Sequence, residues 1–168
     1  PSEALSIYLA LRRFIRQTSR APEFMLSALK KVAPAIRKPE LVGTLAASIL
    51  ELEKERSLSV AHAAIWNSVL RGWLEQIVVR IVHLRASDDS QQEHEIEPLH
   101  FEPATLSQGT YLIAWSRTRG ELRTFKMDRI QRASLTTLHF EPRQELDANA
   151  LLRHAWGIWY GEENHRVE

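Results

Sequence analysis

A chain of 168 residues, 44% hydrophobic and 26% charged, has the balance of one or two soluble globular modules and is long enough for a sizeable core. With no cysteine it has no disulfide, thiolate metal site or cysteine nucleophile; no apolar run would span a bilayer, and no charged, apolar, small-residue leader argues for export. The net charge of +1 is unevenly placed, +6 over residues 1–85 and −5 over residues 86–168. The basic half can lie near a polyanion, although a solvated helical face is the blander reading, and the acidic half argues against a nucleic-acid binder over the whole surface. A cytoplasmic location is compatible with all of this.

In chain order, the first half reads as helices with short breaks. Leu5, Tyr8, Leu9 and Ile15 recur at helical spacing after a possible Ser2 cap, and Arg12, Arg16 and Arg20 form an i, i+4 stripe. Pro22 suits the first turn of a second helix through Phe24, Leu26, Leu29 and Val32, which Pro34 stops. Pro39 can open a third, with Leu41, Leu45, Ile49 and Leu52 on its buried side. Ser59 can cap a fourth, in which Ala61, Ala64, Ile65 and Val69 pack and Gly72 ends the helix.

After Gly72 the period changes to two. Ile77, Val79 and Ile81 mark one face of a first strand, and residues 86–92 suit a loop. In residues 93–101, Glu93, Glu95 and Glu97 alternate with His94, Ile96, Pro98 and His100, so the glutamates read as a solvated face and Pro98 as an edge or bulge position. Residues 111–115 and 122–127 read as a β-hairpin around the turn signal Arg119, Gly120, and residues 131–140 supply a fifth strand. Tyr111, Ile113 and Trp115 share one face of the first hairpin strand; Arg123, Phe125 and Met127 share one face of the second. An arginine and a phenylalanine near a tyrosine can present a guanidinium and two rings to one flat anionic ligand. Asp147 can cap a final helix through Leu151, Leu152 and Ala155.

At these residues the chain resembles the WYL family, the effector-sensing modules of bacterial transcriptional regulators. The family's Trp-Tyr-Leu tripeptide stands here as Thr110, Tyr111, Leu112, and its downstream segment as Arg123, Thr124, Phe125, Lys126, Met127, Asp128, Arg129, Ile130. An upstream basic, aliphatic, proline pattern appears as His94, Ile96, Pro98, with histidine where the family commonly has arginine. The resemblance spans about residues 77–160. It implies an α+β chain: a helical linker or dimerisation region over 1–72, a five-stranded SH3-like or Sm-like barrel with a C-terminal helix over 73–160, and the start of a linker over 161–168. It further implies a winged helix-turn-helix domain before Pro1, a further domain after the chain, and a homodimer. The implied ligand is single-stranded DNA or RNA, or a nucleotide, held by Tyr111, Arg123, Phe125, Arg129 and His94. No cofactor is expected.

Each of these residues also has a plainer role. Tyr111 can be a core aromatic whose hydroxyl finds a partner. Arg123 and Arg129 can grip phosphate bidentately, while Arg129 can simply pair with Asp128 or Glu121. Asp128 reads as a turn or capping residue rather than a general base, and Arg117 as merely basic surface. Seven histidines show no metalloprotease pair; His94 and His100 share a strand face, about 20 Å apart. The cluster Trp156, Gly157, Ile158, Trp159, Tyr160 suits domain packing or base stacking. An enzyme is not expected, since Glu95 and Glu97 lack a matching nucleophile or metal. A structural dimerisation module using Trp66, Trp73 and Trp156 is the alternative to sensing.

Overall fold

A computed structural model describes residues 2–18, 22–55, 60–103 and 109–142. Four helices precede an all-antiparallel sheet: α1 (Ser2–Gln17), α2 (Glu23–Val32), α3 (Pro39–Glu55) and α4 (Val60–Leu74). The strands are β1 (Ile77–Leu84), β2 (Gln91–Pro103), β3 (Thr110–Ser116), β4 (Glu121–Lys126) and β5 (Ile130–His139). The α+β reading holds. The expected Asp147 cap, final helix and Trp156 cluster lie outside the described residues, as do Arg20 and Ser59.

Helical periodicity builds the first layer as read. Tyr8 and Ile15 of α1, Leu26 and Leu29 of α2, Ile49 and Leu52 of α3, and Ile65 and Val69 of α4 are buried, each a turn or two from its helical partner. The second α-helix ends at Val32, ahead of Pro34 as read, and the chain tightens into a 3-10 turn, Ala33–Ile36, since proline lacks the donor for an α-helical bond but fits a short turn. The basic stripe of α1 faces α3. Arg12 donates to Ser48 Oγ at 2.7 Å, and Arg16 lies 3.6 Å from Glu51.

Gly72 has a different reason from the one its position suggests. The helix runs past it to Leu74, and the chain reverses at Gln76, whose φ is 56°. A Cβ on Gly72 would lie 2.2 Å from Val79 Cγ2, so the glycine lets α4 press directly on β1. Ala64 is exposed, while Trp66 is buried and stacks on Phe101 of β2, with ring centroids 5.6 Å apart. The apolar core is thus continuous from Tyr8 through Trp66 to Leu112, Phe125 and Ile130, crossing from helices to sheet.

The sheet order is β4-β3-β2-β1-β5, and the closed barrel is not formed. A one-turn 3-10 helix, Met127–Arg129, carries the chain out of β4 and delivers it beside β1, so β4 and β5 end the sheet on opposite sides. Pro98 sits in a central strand, not at an edge; the register shifts between Pro98 and His100, which is the bulge a missing donor calls for. That bulge turns His100 to the face opposite His94.

Candidate ligand site on the hairpin

The register of β3 and β4 decides which signature residues can act together. A four-residue turn, Arg117, Thr118, Arg119 and Gly120 (φ 70°), pairs Ser116 with Glu121, Ala114 with Arg123, Leu112 with Phe125, and Tyr111 with Lys126. Directly paired residues share a face. Arg123 and Phe125 therefore lie with Leu112, Ala114 and Ser116, whereas Tyr111 lies with Lys126 on the reverse face. The single face holding Tyr111, Arg123 and Phe125 is not formed.

Phe125 is 2% exposed and belongs to the core. Its ring meets His83 of β1 and His94 of β2 edge-on, at centroid distances of 5.3 and 5.1 Å. His94 is also buried, with Nδ1 3.2 Å from Ser116 Oγ. Burial, then the positive charges of Arg123 and Arg119, lower the His94 pKa. For His83, burial and then Arg129, His94 and Arg123 push it from the usual range down to about 4. Both rings are neutral at neutral pH. His83 has no place in the signature, and only its position on the face that Phe125 joins reveals it.

The two arginines of the signature have different surroundings. Arg123 is half-buried and lies 3.2 Å from Glu121, itself mostly exposed. Arg129 is clamped: its Nε donates to the Leu84 carbonyl at 2.9 Å, and Nη2 reaches the Arg85 carbonyl and Asp89 Oδ1. Its carboxylate partner is Asp89, from the β1–β2 turn. It thereby pins that turn against the 3-10 helix, consuming most of its fork of donors. Asp128 lies inside that 3-10 helix, where its Oδ1 approaches His62 Nε2 of α4 at 3.5 Å, a contact from the signature to the helical layer.

The glutamates of β2 do not form one solvated face, although Glu93 is exposed and Glu95 partly so. Glu97 is 2% exposed and accepts from Arg117 Nε at 2.6 Å, and Glu95 accepts from Arg80 at 2.8 Å. Arg117 is thus a structural partner of a buried carboxylate. Trp66, offered as an interface residue, is in the core, and Trp73 is the more exposed of the two. Among the described residues no group of three or more histidines and carboxylates could hold a metal, and no helix is long and apolar enough to cross a membrane.

Residues 64–135, from the middle of α4 to β5, match the family model of the WYL domain. No curated protein matches the chain. Among solved structures, the chain is similar to the proteasome accessory factor B/C (PafBC) of Arthrobacter aurescens, at 22% identity and a TM-score of 0.48, over 55% of this chain and 14% of that one. The chain therefore spans a small part of that protein's length.

Proposed function

We propose that this chain, which carries a WYL domain over residues 64–135, is the effector-sensing region of a bacterial transcriptional regulator, and that its effector is single-stranded nucleic acid. The observation that carries this reading is the setting of Arg123. Its guanidinium is half-exposed, its partner is a surface carboxylate that a phosphate can replace, and the exposed Arg119 stands on the adjoining turn. The two neutral histidines beneath add no charge, so the face stays positive in a region of the chain that is acidic on balance.

On the reverse face, Tyr111 and Lys126 pair a ring with a second cation. Because β4 ends the sheet, a chain of nucleotides that crosses its edge meets Arg123 on one side and, on the other, Lys126 with Tyr111 one strand further in. A mononucleotide is too short to use both, which favours an extended ligand over a nucleotide messenger. Phe125 and His94 then support the arginine from the core, and Arg129 holds the turn, rather than touching ligand. Reading of duplex promoters belongs to a domain outside this chain.

Titrating the chain with short single-stranded oligonucleotides and with nucleotides tests the proposal. Oligonucleotides should bind more tightly, and loss of Arg123 should weaken them; indifference to both ligands, or a preference for mononucleotides, contradicts it. A second reading, self-association through the helices, is favoured by the exposed Ile7, Leu9, Val42 and Leu50 and by an apolar groove of about 430 Å³ beside Pro34, Val42 and Leu50.

A further inference from the structure

Behind Arg123 sit two imidazoles for which the sensing reading alone has no use. His83 and His94 flank the Phe125 ring, the first from β1 and the second from β2. His94 has a hydroxyl partner in Ser116, but Nε2 of His83 is buried with no hydrogen-bond partner among the described residues. An unpartnered buried ring nitrogen is destabilising, and fold alone would be served better by an apolar ring at that position.

The charges that face these rings are all positive. Around His83 stand Arg129 of the 3-10 helix and Arg123 of β4, and around His94 stand Arg123 and Arg119; a proton on one ring also repels a proton on the other. The nearby carboxylates are each spent on an arginine, Glu121 on Arg123 and Asp89 on Arg129. A proton on either ring therefore meets burial and repulsion together.

We infer that His83 and His94 make anion binding at the Arg123 face proton-coupled: a phosphate chain settling there brings protons onto these rings, and the site holds it more tightly in acid than at neutral pH. This rests on the reading of Arg123 as a ligand contact. With the face empty, burial and the arginines hold both rings neutral. An anion against Arg123 cancels part of that positive field, so a ring accepts a proton at a higher pH than before. Linkage is reciprocal: if the anion favours protonation, protonation favours the anion by the same factor. The complex then carries more protons than the separate partners, and affinity rises as pH falls. For His83 the gain ends near pH 4, where the ring is protonated with or without ligand.

Isothermal titration of the whole chain with a short oligothymidylate, in two buffers of different ionisation enthalpy, counts the protons taken up per binding event. Neither the phosphodiester nor thymine titrates between about pH 5 and 8, so any uptake belongs to the protein. The expected result is little uptake near pH 7.5, clear uptake near pH 5.5, and several-fold tighter binding at the lower pH. The double variant His83→Gln, His94→Gln, compared at the two pH values with itself, should lose both the uptake and the tightening in acid, whatever its affinity near pH 7.5. Following the histidine ring protons of the unaltered chain by NMR, with and without oligothymidylate, reads the same shift without any substitution. Binding without proton uptake, or full uptake in the double variant, overturns the coupling and leaves the Arg123 site standing. Absence of oligothymidylate binding at both pH values overturns both.

Discussion

The two faces of the β3–β4 hairpin divide the signature between residues that build the core and residues that the proposed function assigns to recognition. One face sends Leu112, Ala114 and Phe125 into a core shared with the helices, and lets Arg123 and its partner Glu121 out toward solvent. The other sets Tyr111 beside Lys126 and seals its far end with the Glu97–Arg117 pair. Residues that look equivalent in the sequence thus differ in what their loss should do. Phe125 and Arg129 hold the platform; Arg123 and Tyr111 stand on it.

The largest expected effect breaks the building side. Phe125→Ala removes a buried ring together with its two imidazole contacts and should cost about 3–5 kcal/mol of stability in denaturant unfolding. Tyr111→Ala, on a partly exposed position, should cost clearly less. If the two cost the same, the division between faces is wrong. Next in size is Arg117→Ala, which takes from the buried Glu97 a charge-assisted bond at 2.6 Å and should cost roughly 1.5–3 kcal/mol, the usual value for a bond to a charged group. It should do so without changing ligand affinity beyond what reduced folding explains; a selective loss of oligonucleotide binding would move Arg117 into the site.

These differences show how far the sequence could be read. Helices and strands were legible because apolar spacing is a local property, and so was the hairpin, because Gly120 follows Arg119 at the turn. Which face of β3 meets which face of β4 was not. Alternation tells which residues of one strand lie together, but the offset between strands depends on the turn, and a slip of one residue exchanges the faces. Adding Tyr111 to the Arg123 face was that slip. The bulge after Pro98 likewise turned His100 away from His94, although proline itself announced an irregularity there. Glu97 looked solvated because its partner, Arg117, lies 20 residues on, and no local pattern links them. Barrel closure failed for the same reason: the 3-10 helix at Met127–Arg129 redirects the chain, and nothing in strand periodicity reveals where it leads. The platform role of Arg129 was hidden too, since two backbone carbonyls and Asp89 consume its donors.

The smallest free-energy differences separate the two proposed ligand contacts from each other and from a basic surface. Arg123→Ala should weaken oligonucleotide binding by roughly 1.5–3 kcal/mol through a lost charge-assisted contact, and Tyr111→Ala by roughly 1–3 kcal/mol through lost stacking. Arg132, well exposed on β5 and remote in sheet order, is the control. The most direct measurement is oligothymidylate affinity as a function of salt for the parent, Arg123→Ala, Tyr111→Ala and Arg132→Ala. Recognition across the β4 edge predicts that Arg123→Ala lowers the slope of log affinity against log salt by about 0.7, that Tyr111→Ala weakens binding at an unchanged slope, and that Arg132→Ala changes neither. Equal effects of Arg132→Ala and Arg123→Ala, or parent-like binding in folded Arg123→Ala and Tyr111→Ala, would contradict it.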